Sequence, residues 1–240
     1  MISIKEISKR FGKNHVFNNV SFEIKEGNFY TLLGKNGIGK STIIKIISGF
    51  LKPNGGEVVI DGEKTYNNKA FIYKKKIGCL LEDPIYIEKF TIYEYLEFIS
   101  RLNGIHSSKY HDKIDYYLDY FECSNYKDVF IEKCSKGIKH KTSIISTLLH
   151  DPKYLILDEP FSGLDNDSKQ KLLSFIKTFC NNGGAVLLTT HDYKYVTDAT
   201  DYFFILSKQN KEKSKKIETI KNSFDNQQKL ITDIEQLFGG

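Results

Sequence analysis

Three short runs of the chain are almost continuously apolar, and each is followed by a polar or glycine-containing turn. They are FYTLLG (29–34), YLILDE (154–159) and AVLLTT (185–190). Such runs are typical of strands that are buried on both faces of a parallel sheet. Helical periodicity lies between them, as in the segment from Thr91, where TIYE fits a capping box and apolar residues follow at helical spacing. The pattern predicts an α/β domain with a mainly parallel core.

Two further segments, VFNNVSFEI (16–24) and EVVIDG (57–62), mix apolar with polar residues, and the second ends in the turn signal Asp-Gly. They predict an antiparallel β subdomain beside the parallel core. DYFFIL (201–206) predicts the last strand of that core. The helical stretch between the first two buried runs predicts an inserted α-helical subdomain at about residues 84–134.

The end of the chain has a different pattern, so we divide the protein into a domain over 1–207 and a basic linker with an amphipathic helix over 208–240. Apolar residues recur near heptad spacing, with Gln227 as an interruption. They are Ile217, Ile220, Phe224, Ile231, Ile234 and Phe238. This helix could pack on its own domain or on a second copy of the chain, and we expect the first.

Composition favours a soluble globular protein, because charged residues make up 27% of the chain and no apolar stretch approaches the ~18 residues that a bilayer-spanning helix needs. The opening segment MISIKEISKR lacks the apolar region of a signal peptide. We therefore expect a cytoplasmic protein whose contact with a membrane depends on a partner.

Charge and cysteine content argue against two other classes of protein, those that bind nucleic acid and those held together by zinc or disulfides. The net charge of +5 comes largely from KQNKEKSKK (208–216), and the remainder is near neutral, so we expect no nucleic-acid partner. The four cysteines form no CxxC pair, which argues against a zinc site and a disulfide framework. We predict no metal held by protein side chains alone.

The strongest motif is GKNGIGKS (34–41), which satisfies G-x-x-x-x-G-K-[ST] between a predicted strand and a predicted helix. Its backbone N–H groups and the helix N-terminus suit the phosphates of a nucleoside triphosphate. Lys40 is expected to reach the β- and γ-phosphates, Ser41 to bind Mg²⁺ and Thr42 to contact the α-phosphate. The expected ATP-binding residues of this loop are Gly34, Lys35, Asn36, Gly37, Ile38, Gly39, Lys40, Ser41 and Thr42.

A second pair of residues supplies the acids that such a site requires. The strand YLILDE ends in Asp158, which is suited to holding Mg²⁺ through water, and Glu159 follows directly. Adjacent acids at the end of a buried strand are costly unless they serve a site. Glu159 is positioned to polarise an attacking water, so hydrolysis is favoured over phosphoryl transfer.

With GKNGIGKST (34–42) and LILDEP (155–160) both present, the chain resembles the ATP-binding subunits of ABC transporters from about Met1 to Leu206. The resemblance implies that Phe11 stacks on adenine and that Asp165, in FSGLD, belongs to the D-loop that crosses to a second subunit. It also implies that His191 contacts the γ-phosphate. The catalytic residues it implies are Glu159, His191 and Lys40.

The segment KCSKGIKHK (133–141) falls where this family has its signature, often LSGGQ. Ser135 and Gly137 match that signature, whereas Lys136 stands in place of its first glycine. In the family the signature caps the ATP that the opposite subunit holds, which implies composite sites in a two-fold dimer. We expect a homodimer.

Glu82, in IGCLLEDP, occupies the position of a glutamine that contacts Mg²⁺ or the lytic water in most of the family. The expected Mg²⁺ set is therefore Ser41, Asp158 and Glu82. The glutamate resembles that of bacterial exporters of the antimicrobial-peptide and multidrug type.

The resemblance implies an ATP-hydrolysing subunit that drives a separate membrane permease of a bacterial transporter. The Glu82 variant favours export over import. The resemblance also implies a position on the inner face of the cell membrane, reached through the permease. One alternative stays open, a soluble ABC-type ATPase of an assembly or maintenance system without transport. A nucleotide sensor that does not hydrolyse ATP is disfavoured, because Glu159 and His191 are both present.

Overall fold

The computed structural model describes residues 1–66, 71–208, 215–222 and 231–232. The strands are β1 (Ile2–Phe11), β2 (Asn14–Ile24), β3 (Phe29–Leu33), β4 (Gly55–Ile60), β5 (Glu63–Lys64), β6 (Ile77–Leu80), β7 (Tyr154–Asp158), β8 (Ala185–Thr189), β9 (Tyr202–Lys208) and β10 (Lys215–Lys221). The helices are α1 (Lys40–Ile47), α2 (Phe71–Lys74), α3 (Ile92–Leu102), α4 (Ser107–Tyr120), α5 (Lys136–Leu148), α6 (Asn166–Asn181) and α7 (Tyr193–Val196).

The central sheet has the strand order β10-β9-β3-β8-β7-β6, and every neighbouring pair is parallel except β10 with β9. Its inner strands are buried on both faces, as their uninterrupted apolar runs predict. In β7, Leu155 and Leu157 pack into the cluster that contains the helical subdomain, whereas Ile156 packs into the cluster on the other face. The parallel core is therefore the layer that joins both halves of the hydrophobic interior.

An antiparallel sheet with the order β2-β1-β4-β5 covers one face of the core, in agreement with the predicted β subdomain. The inserted helices α3 and α4 lie between β6 and β7 in the chain. The capping box that begins α3 is present, because Thr91 accepts a hydrogen bond from the N–H of Glu94 and the Glu94 carboxylate accepts one from the N–H of Thr91.

The predicted C-terminal amphipathic helix is wrong for residues 215–221, which form strand β10 on the edge of the central sheet. Residues three apart face opposite sides of a strand. Accordingly, Ile217 packs with one hydrophobic cluster and Ile220 with another. Apolar residues three apart, a spacing that also fits one turn of a helix, therefore lie on opposite faces of the edge strand β10. Ile231 is helical, and Phe224, Ile234 and Phe238 lie outside the described residues.

Strand register determines which side chains meet at the carboxyl end of the sheet. Thr189, the last residue of β8, is paired with Leu32 of β3 on one side and with Asp158 of β7 on the other. The loop that follows β3 and the acids that end β7 are thus held on either side of one threonine. Ligands of open parallel sheets bind at this end. Within the described ranges, no helix is both long and apolar enough to cross a bilayer.

Candidate functional site

The glycine-rich loop after β3 wraps tightly before α1 begins, and Lys40 closes it. The Nζ atom of Lys40 donates a hydrogen bond to the carbonyl oxygen of Gly34 at 2.8 Å. A Cβ atom at Gly34 would lie 2.8 Å from the carbonyl oxygen of Leu206, and one at Gly39 would lie 2.7 Å from Val16 Cγ1. Only glycine therefore fits at these two points of the loop.

Helix α1 presents its N-terminus at this loop, with Gly39 as its N-cap and no acidic residue in its first turn. The free N–H groups and the helix dipole favour an anion there. Lys40 is buried, and this burial lowers the pKa of its amino group from 10.5, while Glu159, Asp158 and Glu82 oppose that shift. The buried Lys40 amino group therefore lies between a loop suited to phosphates and three carboxylates.

The other loop residues differ in what their side chains can contact. Ser41 and Thr42 are half-buried in the first turn of α1, and Lys35 and Asn36 are exposed. The side chain of Ile38 is buried in the hydrophobic core, so only its backbone can face a bound nucleotide. The loop thus offers backbone groups and hydroxyls where phosphates are expected.

Asp158 is almost completely buried, with 1% of its surface exposed. Its Oδ1 atom accepts a hydrogen bond from the Thr189 hydroxyl at 2.6 Å, whereas its Oδ2 atom is buried and has no partner among the described residues. A buried carboxylate oxygen without a partner is costly unless a cation compensates it. Hard oxygen atoms are the ligands that Mg²⁺ prefers, so Asp158 and Ser41 fit that ion.

Mg²⁺ at such a site depends on the nucleotide as well as on the protein. No cluster of three or more His, Cys, Asp or Glu side chains that could hold a metal ion occurs in the described part of the chain. Glu82 is exposed at the end of β6 and lies close enough to Lys40 to raise the pKa of its amino group. The protein therefore offers isolated oxygen ligands that a phosphate chain must complete.

Glu159 is held in an unusual conformation directly after Asp158. Its φ angle is 49°, in the left-handed region that residues with a side chain rarely adopt. Its N–H donates to the Thr189 hydroxyl at 3.0 Å, and its Oε2 atom lies 2.9 Å from Nδ1 of His191. The Glu159 side chain is only 14% exposed, whereas that of His191 is 71% exposed. This strained backbone conformation directs the Glu159 carboxylate toward His191, which the sequence also predicts to belong to this site.

Thr189 connects the two acids, and sequence reasoning missed it. Its hydroxyl donates to Asp158 Oδ1 and accepts the N–H of Glu159, so one buried oxygen fixes both residues. A threonine that ends a buried apolar run was the available signal, in AVLLTT directly before His191. The sequence could not show that this hydroxyl faces β7, because that depends on the pairing of Thr189 with Asp158.

The signature-like segment forms the exposed start of α5. Ser135 is the N-cap, and its hydroxyl accepts the N–H of Ile138 at 3.3 Å. A Cβ atom at Gly137 would lie 3.2 Å from the carbonyl oxygen of Gly163, and the aliphatic stem of Lys136 lies over Gly163. The segment therefore packs on the turn that follows Glu159, and its Ser135 hydroxyl faces outward.

The remaining predicted residues are exposed. Phe11 is 52% exposed at the end of β1, with Lys9 Nζ 5.1 Å from its ring centre. Asp165 is the N-cap of α6 and accepts the N–H of Ser168 at 2.8 Å, and this hydrogen bond lowers the pKa of its carboxyl group. Both side chains can meet a ligand or a second subunit without rearrangement of the core.

Comparisons with known proteins find relatives of one family. A profile of the ABC transporter family matches residues 17–162. An ABC transporter ATP-binding protein of Methanocaldococcus jannaschii is 33% identical over 207 residues, which cover 86% of this chain and 74% of that protein. The lantibiotic transport ATP-binding protein SrtF of Streptococcus pyogenes is 30% identical over 202 residues, which cover 84% of this chain and 85% of that protein.

Solved structures confirm the predicted fold class. The ATP-binding subunit of an ABC transporter has a TM-score of 0.86 at 26% identity and covers 98% of this chain and 99% of its own. A dimeric ATP-binding cassette in a post-hydrolysis state with ADP and Pi has a TM-score of 0.82 at 23% identity and covers 93% and 99%. The second likeness concerns the fold alone.

We predict that replacing Thr189 by valine destabilises the protein and weakens its affinity for Mg·ATP. Valine has a similar shape but no hydroxyl, so Asp158 loses its described hydrogen bond while it stays buried. Urea unfolding should show a loss of about 1–3 kcal/mol, and calorimetry should show weaker binding.

Thr189→Ser keeps the hydroxyl and should retain both properties. Thr31→Val is the matched control, because Thr31 is buried in the adjacent strand β3 and its hydroxyl bonds to Thr200 at 2.7 Å, away from the acids. It should lower stability without a selective loss of Mg·ATP affinity. Equal nucleotide affinity in the Thr189→Val variant and the wild type would contradict the bridging role.

Proposed function

The chain belongs to the ABC transporter family as an ATP-binding subunit, and we propose that it hydrolyses ATP to power a bacterial exporter through a separate membrane permease. The observation that carries the proposal is the position of Glu159. Its backbone is tied to Asp158 through Thr189 and its carboxylate lies against His191, at the same end of the sheet as the loop that Lys40 closes. A base next to a phosphate site favours hydrolysis by water.

Binding of ATP is assigned to the loop and the start of α1. Backbone N–H groups and the helix N-terminus receive the phosphates, and Lys40 exchanges its bond to the Gly34 carbonyl for the β- and γ-phosphates. Thr42 is assigned to the α-phosphate and Phe11 to the adenine ring. When bound, Mg²⁺ would supply charge neutralisation, and the residues that would hold it are Ser41, Asp158 and Glu82.

Hydrolysis is assigned to Glu159, which accepts a proton from the attacking water at its carboxylate. Its Oε2 atom is already oriented by Nδ1 of His191 at 2.9 Å. His191 is exposed, so its imidazole can also contact the γ-phosphate. Positioning and charge neutralisation by residues of this chain supply most of the acceleration.

A complete site needs a second subunit in this proposal. Ser135 and Gly137 lie at the exposed start of α5, whose N-terminus attracts anions and whose first turn contains no acid. In a two-fold dimer they cap the ATP of the partner, and Asp165 crosses the same interface. A homodimer then contains two identical sites.

The contact with the permease is assigned to the inserted helical subdomain. Ile85 is 91% exposed and Leu102 is 67% exposed, which leaves large apolar side chains in water on the segment after Glu82. Exposed apolar groups of this kind indicate a protein interface when they lie together on one region. Export agrees with Glu82 and with SrtF, a relative named for lantibiotic transport.

We predict that Glu159→Gln binds ATP, loses hydrolysis and accumulates as an ATP-bound dimer. Glutamine preserves the shape of the side chain but cannot accept a proton from water. Turnover can be measured by phosphate release, and dimers by size-exclusion chromatography with light scattering.

Glu122→Gln is the matched control for that variant. Glu122 also has a positive φ angle, of 57°, and its carboxylate contacts Lys171 of α6. It should hydrolyse ATP like the wild type. Unchanged turnover in Glu159→Gln would remove Glu159 from the role of base.

We predict that Ser135→Ala and Gly137→Asp reduce hydrolysis far more than ATP binding by the monomer. Both changes alter the face that caps the partner's nucleotide, and the aspartate adds negative charge beside phosphates. Loss of the Ser135 cap also costs about 0.5–2 kcal/mol of helix stability.

Thr91→Ala controls for that cost, because Thr91 is a half-buried N-cap whose hydroxyl likewise accepts a backbone N–H, from Glu94 at 3.2 Å. If Ser135→Ala and Thr91→Ala hydrolyse ATP at the same rate, the composite site is wrong.

We predict that the chain co-purifies with an integral membrane protein and that Ile85→Asp weakens this association without changing ATP binding. A charge in an apolar interface is costly when it has no partner. Phe50→Asp is the control, because Phe50 is 63% exposed but follows α1 in the core domain.

Absence of any membrane protein from the purified complex would favour the alternative, an ABC-type ATPase of an assembly or maintenance system. Equal loss of the membrane protein in both variants would contradict docking through the helical subdomain.

A further inference from the structure

His140 is a buried histidine that the mechanism above does not use. It lies in α5, only 5% exposed, and its Nε2 atom is 2.7 Å from the carbonyl oxygen of Pro160. A carbonyl oxygen can only accept, so Nε2 carries the proton and donates. Burial lowers the pKa of His140 from 6.5, which keeps the ring neutral at physiological pH. The residue is therefore a fixed N–H donor in the protein interior.

The acceptor of this bond lies directly after the residue assigned as base. Pro160 follows Glu159 and has a carbonyl but no N–H, so its carbonyl is its only backbone hydrogen-bonding group. The N–H of Glu159 is held by Thr189 on the other side. The strained Glu159 backbone is thus held from β8 at one end and from α5 at the other.

Two further contacts join the start of α5 to the same turn. Gly137 lies so close to the Gly163 carbonyl that a Cβ atom would be 3.2 Å from its oxygen. The stem of Lys136 lies over Gly163, with its nearest carbon atoms 3.6 Å from the position of a Cβ there. Residues 136, 137 and 140 share one side of the helix, so α5 contacts the turn 160–163 through a continuous face.

We propose that His140 is a positioning residue that couples the two ATP sites of the dimer. The start of α5 caps the nucleotide of the partner, and His140 ties that helix to the peptide after Glu159, which acts on the chain's own nucleotide. Closure of Ser135 over the partner's ATP then adjusts the Glu159 carboxylate of the same chain. This inference rests on the composite-site dimer proposed above.

The test compares His140→Leu with His140→Gln in the full chain, assayed together with its co-purifying membrane protein. Leucine removes the N–H donor, whereas the amide of glutamine keeps one at a similar reach. We expect leucine to reduce kcat by roughly 10- to 100-fold with an unchanged KM for ATP, and glutamine to restore most of it. If His140→Leu does not fold, His140→Met replaces it, because methionine fills the space without an N–H.

His150→Leu is the matched control. His150 is a second half-buried histidine whose Nε2 lies 2.9 Å from a backbone carbonyl, that of Ile77, and burial likewise lowers its pKa from 6.5. It lies after the end of α5, away from the turn 160–163. It should cost stability without the selective loss of kcat.

A double-mutant cycle separates coupling from a structural role. In the wild-type background Ser135→Ala lowers kcat, and in the His140→Leu background we expect a smaller further effect, because only its direct action on the partner's ATP remains once the link is broken. Full additivity, no rescue by glutamine, or a His140→Leu enzyme that behaves like His150→Leu would each overturn the proposal. Failure of Glu159→Gln to abolish hydrolysis would instead overturn the proposed function, whatever the His140 variants show.

Discussion

The hydroxyl of Thr189 holds both acidic residues of the candidate site, and the proposed catalytic arrangement depends on it. It donates to the carboxylate of Asp158 and accepts from the backbone N–H of Glu159, so a single buried oxygen holds one acid by its side chain and the other by its backbone. This is possible only because β7 and β8 are parallel and paired in the register that puts Thr189 opposite Asp158. The central sheet therefore forms the core and, through its strand register, also positions Asp158 and Glu159.

Glu159 has a strained backbone conformation, which the contacts around it must stabilise. A residue other than glycine in the left-handed region costs about 1–3 kcal/mol, and one neutral hydrogen bond returns about 1 kcal/mol. A single bond therefore offsets only the lower end of this range. Thr189 binds the N–H of Glu159, His191 binds its carboxylate, and His140 binds the next carbonyl. The three contacts together are of the size needed to offset the whole range.

Sequence reasoning found the parts of this site that are local in the chain. The loop 34–41 is recognisable because its glycines, lysine and serine act within one strand, turn and helix. Asp158 and Glu159 are recognisable because acids end an apolar run. Thr189 and His140 act across the fold, and their partners follow from strand register and helix packing, which no short pattern encodes. Strand β10 escaped prediction for the same reason, because it depends on the open edge of β9.

The start of α5 is basic, and its charge affects both the stability of the helix and its attraction for anions. Lys136 and Lys139 lie in its first turn, which contains no acid, and positive charge at a helix N-terminus costs about 0.3–1 kcal/mol per group. The cost to the helix becomes a gain when an anion approaches, because both the helix dipole and the lysines then act on it. The stem of Lys136 lies on Gly163, so its charge stays close to the turn after Glu159. In the proposed dimer, a lysine in place of the first signature glycine therefore preserves the attraction for phosphate, although it removes the freedom that a glycine gives the backbone.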